Sequence, residues 1–207
     1  LAAKAEIRSG TCYGKLQRFD QGVESFRRVI ELFASERVLV EEAYLRLADL
    51  YVEKGDTEQA LATYREAIDK AADRTLRARI QYALAERLFA QSKYQAALSE
   101  YRIYLQGYGD IAANAGFSSG RVRYRMGSSY QQVAQGHLQD GDRNTAMPFL
   151  QRAVAQYDTI LADASSPYAL DARFNRALAW QGLGDGESQA RALAEFAAVI
   201  EDGDSLY

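Results

Sequence analysis

The sequence predicts an all-α chain, an α-solenoid of about five helix-turn-helix repeats. Three observations predict it. Apolar residues recur every three or four positions along most of the 207 residues, the period of a helix with one buried face. The only two prolines are Pro148 and Pro167, so almost nothing in the chain opposes helix formation. A short pattern of small and large, mostly aromatic, residues also occurs five times.

That pattern is clearest at residues 41–70. Two helices broken at Gly55-Asp56 would present Tyr44, Leu47, Ala48 and Tyr51 from the first and Ala60, Tyr64, Ala67 and Ile68 from the second. A pair of this kind cannot bury both of its faces, so it needs neighbours. In the second helix, Ala60-x3-Tyr64-x2-Ala67-Ile68 recurs upstream as Gly22-x3-Phe26-x2-Val29-Ile30. Downstream it recurs from Ala97 with Tyr101, from Ala153 with Tyr157, and from Ala192 with Phe196. In the first helix, Ala48-x2-Tyr51 matches Gly10 with Tyr13, Ala85 with Leu88, Gly127 with Tyr130 and Ala177 with Trp180. A small residue lets two helices approach, and a large side chain one turn away fills the groove between them.

In order, the repeats fall at about 3–36, 41–74, 76–107, 118–163 and 167–201. The first breaks near Arg18-Phe19-Asp20, and the third turns at Gln91-Ser92-Lys93, with Tyr94 packing into the turn. The period then lengthens, because Ala97 and Ala153 are 56 residues apart. The insertion region, 106–145, combines a loop at 106–119 with longer helices, about 120–138 and 144–161. Ser118 or Ser119 is a natural N-cap, and Pro148 sits in the first turns of its helix, where it costs little. Ser165-Ser166-Pro167 reads as the start of the fifth repeat, with Pro at the first helical position. Gly184-Asp185-Gly186 makes its turn, and the tail from Glu201 to Tyr207 has no capping helix.

Composition excludes several function classes. With 48% hydrophobic and 26% charged residues, the chain can bury a core, yet no run reaches the roughly 18–20 apolar residues of a spanning helix. Direct membrane insertion is therefore not expected. A net charge of −3 argues against nucleic acid as a partner. Enzyme signatures are absent, and neither a catalytic residue nor a cofactor is expected. Cys12 reads as a small buried residue and His137 as a surface or helix-end residue. Asp140, Asp142 and Asn144 imitate the first positions of a calcium loop, but Thr145 stands where such a loop needs glycine. A turn with an N-cap is the expectation there, and no metal.

The aromatic, the Leu-Gly/Ala pair and the Tyr of the first helix, followed by Ala and Phe/Tyr in the second, resemble a tetratricopeptide repeat (TPR). The resemblance implies a non-catalytic scaffold binding a peptide or partner protein in a concave groove lined by the first helices. Carried over position by position, it places Ile7, Arg8 and Thr11, then Leu45, Arg46 and Asp49, then Tyr82, Ala83 and Glu86 in that groove. Tyr124, Arg125 and Ser128, then Phe174, Asn175 and Leu178 complete it. Arg121, with Arg123 and Arg125 and with Arg77 and Arg79 upstream, adds either a basic patch at the insertion or an ordinary solvated face. The dicarboxylate clamp of chaperone-tail-binding TPRs does not carry over, because the residue after the small one is never Asn. The slightly long repeats and the run 166–172 are similar to bacterial cell-envelope TPR proteins. The chain starts at Leu1 without a signal-peptide pattern, as either a mature form with its export signal cleaved or an excised piece would. Together with that similarity, this leans localisation toward periplasm or envelope over cytoplasm. The alternative function is a self-associating subunit, a homo-oligomer stacked head-to-tail through its terminal repeats.

Overall fold

The structure, a computed structural model, describes residues 1–71, 73–113, 115–163 and 165–204, with side chains through 201. The chain divides into two units, Leu1–Leu84 and Ala85–Tyr207. The first holds α1 (Ala2–Lys15), α2 (Phe19–Leu32), α3 (Arg37–Lys54), α4 (Thr57–Lys70) and the start of α5 (Arg74–Ala90). The second holds the rest of α5, α6 (Tyr94–Tyr108), a 3-10 turn (Gly109–Ile111), α7 (Ser119–Gln139), α8 (Arg143–Leu161), α9 (Ala169–Leu183) and α10 (Gly186–Asp204). Successive helices pack as antiparallel neighbours within each unit: α1 on α2, α2 on α3 and α3 on α4, then α6 through α10 in order. No described helix is long and apolar enough to cross a membrane.

Local chemistry sets the turns. Asp56, Ser118, Asp142 and Asp185 each accept the backbone N–H three residues on, at 2.9–3.2 Å, and so satisfy a donor that the helix start leaves unpaired. Gly55 and Gly184 close α3 and α9 in the left-handed conformation, which costs glycine little. The same step is taken by Gln17 and Ser92 in the first and third repeats and by Gly141 in the fourth. In four repeats this turn residue comes seven positions after the small residue of the first helix. Gly141 comes fourteen after Gly127, and Ala153 follows Gly141 by twelve where the first three repeats have five. Each helix of the fourth repeat has thus grown by seven residues. Seven residues are nearly two turns, so the additional length leaves the packing face almost where it was.

The small-residue pattern has the expected physical basis. A Cβ on Gly10 would sit 2.8 Å from the Phe26 ring, and one on Gly127 would sit 2.5 Å from the ring of Tyr157. The rings of Phe26, Tyr64, Tyr101 and Tyr157 are buried. Ala3, Ile7, Val29, Ala43, Leu47 and Leu50 form the core of the first unit around Phe26.

Several local expectations need correction. Cys12 is exposed: Ala3, Ile7, Gly10 and Gly14 take the buried stripe of α1, and Cys12 lies about 200° round from Gly10. Helix α9 begins at Ala169 rather than at Pro167. Ser166 accepts the Tyr168 N–H on its hydroxyl and the Ala169 N–H on its carbonyl, which makes Ser166–Ala169 a turn. Pro148 is the sixth residue of α8, where a helical N–H would have reached back to Asn144, so it sits deeper than a first-turn proline. The loop expected over 106–119 is partly helical, because α6 runs to Tyr108 and the 3-10 turn follows. The Tyr104 hydroxyl donates to the Phe117 carbonyl at 2.9 Å and ties this connection onto α6. Asn114 lies outside the described residues. So do residues 205–207 of the tail, while α10 continues to Asp204.

Candidate functional site

The positions carried into the groove have different fates. In the first unit, Thr11, Arg46 and Asp49 come together with Lys15 and Glu53 around a cleft of about 180 Å³ between α1 and α3. Arg46 is exposed and pairs with Glu42 one turn back at 3.2 Å, while Leu45 is half-buried and Arg8 exposed. Asp49 accepts the hydroxyl of Tyr64 at 2.8 Å. Ile7 is buried. Tyr82 is also buried, at 3% exposure, and is corrected from groove-lining to core. The reason is that Leu76, Ala78, Ile80, Leu84, Ala85 and Leu88 are buried as well, so α5 has no broad exposed face to offer.

In the second unit, Glu86 accepts the hydroxyl of Tyr101 and pairs with Arg125 Nε at 3.2 Å. Arg125 also lies over the Phe89 ring, 4.9 Å from its centroid, and Arg121 lies over Phe117 at 5.6 Å. Arg123 donates to Gln156. These arginines are held by neighbours of their own rather than forming a bare basic patch.

Tyr124 and Asn175, 51 residues apart, meet through a hydrogen bond of 3.2 Å from the Asn175 amide to the Tyr124 hydroxyl. Tyr168 stacks on Tyr124, and Gln131 bridges the Asn175 carbonyl and the Tyr157 hydroxyl. Burial pushes the Tyr157 phenol well above its ordinary value, while a hydrogen bond with Ser128 pulls the other way. Phe174 and Leu178 stand out, at 44% and 37% exposure, with Leu170 one turn before them at 36%. The Phe174 ring is steadied edge-on by Phe196 at 5.8 Å.

One rule connects these observations. The residue after the small one on the first helix answers the buried ring of its own repeat. Asp49 and Glu86 accept from Tyr64 and Tyr101, whereas Thr11 and Leu178 stand in the repeats whose ring is Phe26 or Phe196. In the longer fourth repeat Ser128 holds this position, and Gln131, one turn on, accepts the Tyr157 hydroxyl. A buried hydroxyl needs an acceptor, and a phenyl ring does not. The polar groove residues Asp49 and Glu86 are thus occupied in holding each repeat together. The signal is present in the sequence as matched pairs fifteen residues apart. His137 stacks on Phe149 near the end of α7, its rings 5.7 Å apart. Asp142, in the calcium-like stretch, is the N-cap of α8, and its bonds from Thr145 hold its carboxyl below the ordinary range.

Two sequence profiles of the tetratricopeptide repeat match the chain, over residues 1–72 and 45–116. The chain carries tetratricopeptide repeats. The solved structures similar to it agree in fold. A kinesin-light-chain-type protein of nearly identical TPR-like repeats from Podosopora anserina superposes with a TM-score of 0.54 at 18% identity, covering 97% of this chain and 95% of that one. The MamA protein gives a TM-score of 0.55 at 16% identity, covering 98% of this chain and 92% of that one. At these identities the likeness is one of fold, the all-α TPR-like repeat solenoid expected from the sequence. No curated protein matches the sequence. TPR repeats generally mediate protein–protein interaction, which is the level of function the family supports.

Proposed function

We propose that the chain is a non-catalytic scaffold that binds a peptide or partner protein along the inner face of its first helices. The observation that carries this is the α9 stripe of Leu170, Phe174 and Leu178. Two of its three members stand at groove positions, and all three keep a third or more of their surface in water. Apolar side chains at spacing four on one helix face match the anchors that receive an extended or helical segment. Beside the stripe, Tyr124 and Asn175 supply a polar rim within the second unit. The first unit offers a charged surface of its own, Arg46 with the 180 Å³ cleft.

The double variant Phe174→Ala with Leu178→Ala is expected to weaken capture of the native partner from source-cell extract by about tenfold or more. Hot-spot truncations cost at least about 2 kcal/mol each. Helicity by circular dichroism should stay at the wild-type level, because alanine is a good helix former and the buried stripe of α9, Ala172, Ala177, Ala179 and Leu183, is untouched. Undiminished capture would move the binding surface off α9.

Head-to-tail self-association is favoured by a separate observation. Leu193 and Ile200, seven residues apart on the last helix, are 70% and 63% exposed. If they seat a second copy, light scattering will give a mass that rises with concentration, and Leu193→Lys will return it to the monomer value. A constant monomer mass excludes it. A setting in the bacterial cell envelope would suit a scaffold of this kind, and its support is the similarity of the run 166–172.

A further inference from the structure

The first unit contains a second recess, away from the groove positions. It lies where the end of α2 and the first turns of α3 meet the end of α4 and Ile80 of α5. Its volume is about 420 Å³, within the range of ligand pockets. Ile30, Val40, Ala67, Ala71 and Ile80 make apolar walls, and three charged groups reach it: Arg37, Glu41 and Lys70. Lys70 is already committed, bonded to Glu66 at 2.6 Å and poised over the Tyr44 ring. Glu41 is not. It is half-buried and makes no hydrogen bond or ion pair among the described residues. Burial, reinforced by Asp73, raises its carboxyl above the ordinary value against the pull of Arg79 and Arg37.

We propose that this pocket receives the indole ring of a tryptophan presented by a partner protein, with the indole N–H donated to Glu41. The chemistry of the walls selects it. A half-buried carboxylate without a partner calls for a donor, and apolar walls call for an apolar body. A cationic side chain would satisfy Glu41 but meets Arg37, Lys70 and the nearby Arg79. An anionic one meets Glu41, and an aliphatic one leaves Glu41 unpaired. An indole is neutral, donates and does not accept, and offers the ring face that an arginine such as Arg37 binds best. Tryptophan is also among the side chains that most often anchor protein contacts, the kind of contact TPR repeats make. This site is independent of the α9 stripe.

The test is a titration of the ¹⁵N-labelled full chain with N-acetyl-tryptophanamide, followed by amide shifts. Saturable shifts are expected at residues 37–44 and 67–71. The 1-methyl-indole analogue, which lacks the N–H, should bind about tenfold or more weakly, as a lost hydrogen bond to a charged group implies. Glu41→Met should reproduce that loss. Ala34→Phe, at an exposed position on the pocket wall, should abolish binding by filling the space. Both variants change residues outside the core, and each should keep the wild-type circular dichroism spectrum. Non-saturating shifts would overturn the proposal, and so would equal affinity for the methylated probe or for Glu41→Met. Free indole binding as tightly as the amide would assign the pocket to a small molecule and overturn the partner assignment. The Phe174→Ala, Leu178→Ala variant should bind the probe normally, which keeps failure here distinct from failure of the groove.

Discussion

Tyr157→Ala is expected to destabilise the second unit by about 3–5 kcal/mol, the cost of truncating a fully buried aromatic side chain. The ring has no exposed surface, packs beside Tyr124 and donates its hydroxyl to Gln131 at 2.6 Å. Its loss opens a cavity between α7 and α8 and leaves the Gln131 oxygen without that donor. Gly127 sharpens the test, because the ring fills the space where its Cβ would stand. Gly127→Ala alone forces the ring aside and should cost about 1–3 kcal/mol as overpacking. On the Tyr157→Ala background the same change enters vacated space and regains up to about 1 kcal/mol of helix propensity. The double variant should therefore be more stable than the sum of the single effects predicts. Strict additivity in urea unfolding, with amide exchange of α7 and α8 as the local readout, would show that ring and glycine are not matched. Local exchange is the better probe, because repeat arrays need not unfold in one step.

Arg176→Ala should be the next most damaging change, at about 2–3 kcal/mol, the scale of hydrogen bonds to charged groups. Arg176 is 16% exposed and joins three helices. Its guanidinium bonds Asp158 of α8 and, at 2.6 Å, Glu195 of α10, which is 19% exposed. It also lies over the Trp180 ring, 4.7 Å from the centroid. Removing it leaves the Glu195 carboxylate largely buried with only Arg173 at 3.7 Å. Arg176→Lys should not restore the loss, because an ammonium cannot fork to two carboxylates while lying flat on an indole. Trp180 is the only tryptophan, so its emission reports the site directly. A red shift should accompany the loss of stability, and an unchanged spectrum with wild-type stability would show the network to be ornamental.

The groove positions show where pattern stops being informative. Asp49 and Glu86 read from the sequence as partner-facing acids, since polar residues beside a buried stripe ordinarily meet water. In the fold they answer the hydroxyls of Tyr64 and Tyr101. That pairing was available in the sequence as a match between acid and ring type, because a buried hydroxyl must be paired wherever it occurs. Tyr82 offered no such signal. Its spacing says only that it faces something, and another helix face and open solvent give the same period. Phe174 and Leu178 have that same ambiguity and resolve the other way, into water. The α9 start shows a third limit: Ser before Pro suits a helix start and equally suits the turn that Ser166 makes.

By itself the sequence determined the all-α class, the five helix pairs, the turns at Gly55, Gly141 and Gly184, and the pairing of small residue with ring. These follow from local propensity and from a period that repeats, and both are properties of residues near one another in the chain. It also held the lengthening of the fourth repeat, because seven residues inserted on each side of Gly141 leave the faces in place. Only the tertiary structure decided which faces stay open. Exposure depends on what packs against a helix from elsewhere in the chain, and period alone does not carry that information. The unpaired carboxylate of Glu41 is a product of the same step, since the α2–α3 and α4–α5 connections had to meet before its pocket existed.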